Sequence, residues 1–279
     1  MNKNGLIFAC MISLPIVLSS ESQAQHSAGH KAVAAPKLNS IKAEVFLKDP
    51  LVKDKKIPAE IEFISKKTNK PLLLSDLTEV HTEKIHLLIF DQTLTVYQHT
   101  HPTPTNKPGI YAFDWTPKNE SQYKVWADLS PVDTDQEYIM ADLGDLSKTP
   151  QKVDKTVNTM NTSGEGANKL HFALSFDPKD LVKDQHVKGT IVVTDGTGHP
   201  FSQLEPVMGA FAHIVAINED FKTIAHIHPM GVEPSKSSDR GGDKLHFHIG
   251  LNKSGFWKIW VQVKVKGQDI FVPFGVNVK

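Results

Sequence analysis

The sequence predicts an all-β protein made of two tandem immunoglobulin-like antiparallel β-sandwich domains. Three observations point there. The chain contains an internal repeat, its apolar residues alternate in strand fashion, and Gly, Pro, Asn and Asp divide it into short runs.

The repeat is read from landmarks in fixed order. Lys84-Ile85-His86-Leu87-Leu88-Ile89-Phe90 precedes Tyr97-Gln98-His99-Thr100-His101-Pro102, as Ala212-His213-Ile214-Val215-Ala216-Ile217 precedes Ala225-His226-Ile227-His228-Pro229. In both copies the three histidines are spaced by 13 and then by 2. Leu51-Val52-Lys53-Asp54 matches Leu181-Val182-Lys183-Asp184, and Tyr123-Lys124-Val125-Trp126 matches Trp257-Lys258-Ile259-Trp260. Phe113 precedes Trp126 by 13 positions, as Phe247 precedes Trp260. The copies run over residues 40–146 and 169–279, joined by a polar linker at 147–168.

Alternation is clear in Ala59-Glu60-Ile61-Glu62-Phe63 and in Lys258 to Val265, and no helical stripe competes with it. Roughly 110 residues holding about seven short strands is the size of one such sandwich. The large aromatics late in each copy are expected to fill its core.

The N-terminus has the form of a secretory signal over residues 1–24. Lys3 supplies the charge, Leu6 to Leu18 the apolar run, and Ser22-Gln23-Ala24 the small residues of a cleavage site. A lipoprotein site at Cys10 is the rival, with only Gly5 to Ala9 before it as apolar core. The reading is a periplasmic or secreted protein with no membrane span in the mature chain. Residues 25–39 read as a disordered lead.

The 31 basic and 31 acidic residues cancel, so no basic surface points to nucleic acid or anionic lipid. The single cysteine, Cys10, falls within the signal. Mature disulfides, thiolate metal sites and cysteine nucleophiles are therefore excluded, and with them a His₂Cys blue-copper centre.

The histidines carry the functional reading. If Gln92-Thr93 and Glu219-Asp220 are two-residue turns, His86 lies directly opposite His99 and His213 directly opposite His226. His101 and His228, two residues further on, share the same faces. Three imidazoles then meet on each hairpin, a plausible set of ligands for Cu(II) or Zn(II). For any one histidine, hydrogen bonding near a strand end is the simpler role. The duplicated triad favours metal.

In Leu245-His246-Phe247-His248, His246 and His248 share the face opposite Leu245 and Phe247, which would enrich the second site or make another. The metal-ligand candidates are thus His86, His99, His101, His213, His226, His228, His246 and His248. Met208 and Met230 flank the second triad, although core filling explains a methionine more simply. His26 and His30 sit in the lead, and no role is assigned to His81, His171, His186 or His199.

The HxHP hairpin followed by "YKVW" or "FWKIW" resembles an exported bacterial β-sandwich family similar to the YtkA-like and CopC-like periplasmic domains associated with copper handling. The resemblance implies copper as the metal, with zinc as the alternative. CopC-like domains carry a ligand histidine near the mature N-terminus. Here His26 precedes a linker, and that role is not carried over.

The expected function is metal capture or delivery, with a metal ion as ligand and another exported protein as partner in exchange. The alternative is a tandem interaction or envelope module without metal. An enzyme is not expected. Glu205 and Glu219 are the available acid–base groups near the second triad, but no HExxH, GxSxG or phosphate-binding loop accompanies them.

Overall fold

The computed structural model describes residues 39–132, 134–144, 151–164, 169–227 and 229–279. The expected signal and nearly all of the lead, with His26 and His30, lie outside the described residues, as does His228. Among the described residues no helix is long and apolar enough to cross a membrane.

The protein is an all-β pair of tandem sandwiches. The first repeat contains β1 (Ile41–Leu47), β2 (Ile57–Ser65), β3 (Leu77–Thr78), β4 (Ile85–Asp91), β5 (Tyr97–Thr100), β6 (Thr103–Pro104), β7 (Ile110–Trp115), β8 (Tyr123–Pro131) and β9 (Glu137–Leu143). One sheet runs β1-β2-β7-β6. The other runs β3-β8-β4-β5, with β9 also on β8. The second repeat contains β10 (Met160–Ser163), β11 (Leu170–Asp177), β12 (His186–Asp195), β13 (His213–Asn218), β14 (Ile224–Ile227), β15 (Lys244–Gly250), β16 (Gly255–Val265) and β17 (Gln268–Val278). Its sheets run β10-β11-β12-β15 and β14-β13-β16-β17, and every strand pair is antiparallel.

Alternation builds each core. Ile57, Ala59, Ile61 and Phe63 of β2 point inward while their neighbours are more exposed, and they meet Leu87, Ile89, Val125 and Ala127 of the facing sheet. The second core repeats this with Ile191, Val193, Phe247, Ile259 and Phe274. A Cβ at Gly189 would stand inside the Phe247 ring, so the absent side chain of β12 is what lets this aromatic lie against the sheet.

Strands β4 and β13 depart from the usual antiparallel pattern, because both of their faces are buried. Ile85, Leu87 and Ile89 face the sandwich core. Leu88 and Phe90 instead join Leu94, Tyr97, Trp126, Val215, Ile217, Phe221, Ile224 and Trp260 in a third apolar cluster drawn from both repeats. The two repeats are therefore docked, sheet on sheet. Phe113, Phe247 and Trp257 are core residues of their own sandwiches as expected, whereas Trp126 and Trp260 fill the space between the repeats.

The stretch expected as a linker carries strand β10, which extends the outer sheet of the second repeat. The segment before β10 is bonded to both repeats: Asp154 N–H donates to the Thr93 carbonyl at 2.8 Å and Asn158 N–H to the Gly275 carbonyl at 3.0 Å.

The hairpin register differs from the two-residue turn expected. Leu88, not His86, stands across from His99, and Val215, not His213, stands across from His226. Each loop has four residues. Asp91 N–H bonds to the Val96 carbonyl and Asn218 N–H to the Thr223 carbonyl, with Leu94 and Phe221 at φ 60° and 56°. The Asp91 carboxylate accepts from the N–H groups of Thr93, Thr95 and Val96 and so holds the wider turn. A shift of two residues preserves the face, so His86, His99, His213 and His226 remain on the side expected for them, diagonal to their partners rather than opposite.

Candidate metal centre

His86 and His213 occupy matching places on β4 and β13, on the faces turned toward the other repeat, just beyond the shared apolar cluster. His86 is 2% exposed and His213 is 1% exposed. His99 on β5 and His101 just after it are half-buried. The ligand nitrogens of His86, His99 and His101 all lie within 4.8 Å of one another, so this triad is positioned to hold a metal ion. His86 Nδ1 lies 3.2 Å from both His99 Nε2 and His101 Nε2. Metal–nitrogen bonds of about 2.0–2.1 Å place ligand nitrogens about 3.3–3.4 Å apart at tetrahedral angles and about 2.8–3.0 Å apart at right angles.

The outer hydrogen bonds fix which nitrogens carry protons. His86 Nε2–H donates to the Val80 carbonyl at 2.9 Å, and His99 Nδ1–H donates to Gln262 Oε1 at 2.9 Å. The lone pairs of His86 Nδ1 and His99 Nε2 are thereby left facing each other. The second repeat reproduces the arrangement. His213 Nε2–H points to the Met208 carbonyl at 3.4 Å, His226 Nδ1–H donates to Asp128 Oδ2 at 2.7 Å, and His213 Nδ1 lies 3.0 Å from His226 Nε2. Two facing lone pairs at this distance can share a cation.

A proton is disfavoured in that role. Burial, followed by neighbouring His226 and His81, holds His213 well below the ordinary 6.5. Burial, then His226 and His213, does the same for His99. His86 is lowered by burial, partly offset by the Asp128 carboxylate, and His101 is lowered by burial.

These shifts predict a pH dependence for the metal-free protein. The unfolded chain takes up protons on these histidines below about pH 6.5 while the folded chain resists, so stability is complete above that pH and falls below it. His213 alone contributes a slope of up to about 1.4 kcal/mol per pH unit in that window. Urea midpoints for metal-free protein should be lower at pH 5.5 than at pH 7.5. An unchanged midpoint would contradict the neutral, buried cluster.

The structure draws the two groups into one cluster. Ring centroids lie 5.4, 4.9 and 4.9 Å apart within the first triad. Across the repeats, His86–His226, His99–His213 and His99–His226 are 5.6, 5.8 and 5.8 Å apart. The expectation of one separate site per domain is thus replaced by two groups in ring contact at the repeat interface. The cause is the apolar outer face of β4 and β13, which brings the two sheets together.

His81, assigned no role from sequence, belongs to this cluster. Its ring stands 6.2 Å from His86, 5.9 Å from His213 and 5.8 Å from His226. It projects from a tight turn in which Val80 and Glu83 exchange backbone hydrogen bonds, with His81 and Thr82 at φ 56° and 69°. Val207 and Ala210 close the matching turn, with Met208 and Gly209 at φ 49° and 78°. The turns meet: a Cβ on Gly209 would lie 3.7 Å from Thr82 Cγ2. The available signal was positional, since His81 precedes His86 by five residues as Met208 precedes His213.

His246 and His248 are not brought to the cluster. They do share the face of β15 opposite Leu245 and Phe247, but β15 belongs to the other sheet of its sandwich. There His246 Nδ1 bonds to Thr190 Oγ1 at 3.0 Å, and His248 is exposed. Met230 is also exposed, whereas Met208 contributes its carbonyl to His213.

Fold and site together define the class: a tandem β-sandwich protein with a buried histidine cluster at the junction of its repeats. The chain belongs to the family described as a domain of unknown function, DUF8832, which matches residues 41–141 and again 166–279. No curated protein matches it.

Among solved structures, the chain is similar to the Escherichia coli adhesin FdeC, at 13% identity over 88% of this chain and 66% of that one, with a TM-score of 0.26. A β-glycosidase from Bacteroides vulgatus matches at 12% identity over 84% of this chain and 25% of that one, with a TM-score of 0.23. A marsupial T cell receptor matches at 10% identity over 85% and 72%, with a TM-score of 0.23. Scores this low carry no functional argument.

Proposed function

We propose that this is an exported metal-binding protein that captures or delivers copper through a histidine site on the β-hairpin of each repeat. The observation that supports it best is the convergence of imidazole nitrogens, with the other nitrogen of His86, His99, His213 and His226 committed to an oxygen acceptor. Ligands locked in this way bind without first losing tautomeric and rotational freedom. Copper rather than zinc rests on the resemblance to copper-associated exported domains; the all-imidazole donor set suits either metal. Export rests on the N-terminal leader. With no thiolate available, the site suits holding and transferring the ion rather than blue-copper electron transfer, and no catalytic activity is proposed.

The test is metal content and binding heat of the purified chain. Stoichiometric copper by elemental analysis, with calorimetric binding that weakens as pH falls, is the expected result. Protein that retains neither copper nor zinc above background, and that gives no heat with either, would end this reading.

A further inference from the structure

Asp128 on β8 pairs in register with His86, and Gln262 on β16 pairs with His213, so they occupy matching positions in the two repeats. Each bonds to a histidine of the other repeat. Asp128 Oδ2 accepts from His226 Nδ1–H of the second repeat at 2.7 Å, and Gln262 Oε1 accepts from His99 Nδ1–H of the first at 2.9 Å. Both are buried, Asp128 at 2% exposure and Gln262 at 4%. Gln136 Nε2 donates to the other Asp128 oxygen at 2.6 Å and fixes the carboxylate.

We propose that the two repeats form a single two-ion centre in which one ligand of each ion, His99 in the first group and His226 in the second, is oriented from the opposite repeat, Asp128 and Gln262 being the crossed positioning residues. This rests on the metal reading above.

The exchange also makes the sites unequal. A carboxylate behind a ligating imidazole raises its basicity and favours a bound dication, and losing such a partner typically costs about 10–100-fold in metal affinity. A neutral amide orients the ring but adds no charge. Asp128 therefore strengthens the hold of the His213/His226 group on its ion, whereas Gln262 only orients a ring of the His86/His99/His101 group. Neither repeat's site is complete without the other.

Zn(II) titration of the full chain, followed by NMR of the imidazole side chains, reads the two groups separately. In the wild type, both groups should shift as zinc is added, one ion to each, with a separate midpoint for His213 and His226 and for His86, His99 and His101. Asp128→Asn removes the charge but keeps an acceptor, and should weaken the His213/His226 site about 10–100-fold. Gln262→Leu should weaken the His86/His99/His101 site instead. Gln262→Glu, which keeps the oxygen that accepts from His99, should strengthen that first-repeat site and keeps the test open should Asp128→Asn fail to fold. Substitutions that weaken the site on their own repeat, or both sites equally, would overturn the crossed arrangement while leaving the metal reading intact. A wild type whose imidazoles do not respond to zinc would instead remove the metal reading itself.

Discussion

Replacing His86 with alanine is expected to abolish measurable metal binding at the first-repeat site. His86 Nδ1 is the nitrogen that both His99 Nε2 and His101 Nε2 approach at 3.2 Å, so its loss leaves two donors with no common partner. The affinity should fall by more than the roughly 100-fold that marks loss of an outer-shell partner. His101→Ala, at a half-buried position, should weaken the same site with less effect on folding. His246→Ala should leave binding unchanged, because that ring lies on the other sheet and bonds to Thr190. Calorimetry with Cu(II) and Zn(II) checks all three. Equal binding by wild type and His86→Ala would show that metal, if bound, sits elsewhere.

The second large effect concerns docking. Trp126 is 1% exposed, and its ring meets Phe90 at 5.7 Å and Phe221 of the second repeat at 5.4 Å, both edge to face. Trp126→Ala should destabilise the protein by about 3–5 kcal/mol, the usual cost of emptying a large aromatic site. Because this side chain lies between the repeats rather than inside one sandwich, the loss should separate the two halves as unfolding units. A single urea transition is then expected to become broader or biphasic. A variant that unfolds at the wild-type midpoint in one sharp step would contradict the docked arrangement.

Much of this was legible in the residues. The duplicated spacing of His86, His99 and His101 with His213, His226 and His228 located the hairpins, and strand periodicity gave the sandwiches. The register was not legible. The side-chain hydrogen bonds of Asp91 stabilise a four-residue loop where a two-residue turn was the simpler reading. The site survived that difference only because a shift of two keeps His86, His99, His213 and His226 on their faces.

The docking did leave a trace in Leu87-Leu88-Ile89-Phe90 and Ile214-Val215-Ala216-Ile217. An antiparallel strand with one wet face alternates, whereas these runs are apolar on both faces and so need a second partner surface. The crossed contacts of Asp128 and Gln262 left no trace, since nothing local distinguishes a buried carboxylate that bonds within its repeat from one that reaches across. His246 and His248 show the converse limit: alternation gave their face correctly, but a strand's pattern does not say which sheet it joins.

The reciprocal bonding of Asp128 to His226 and Gln262 to His99 carries an evolutionary consequence. Such exchange is the signature of a surface that recognises itself, as in an isologous dimer. A polypeptide holding only one of these units would expose the same oily stripe and would be driven to pair with its own twin around a true dyad. Fusing the twins into one gene holds them at high effective concentration. It also frees the two halves to diverge, and an acid in one half with an amide at the equivalent place in the other is a difference that no strictly symmetric pair could encode.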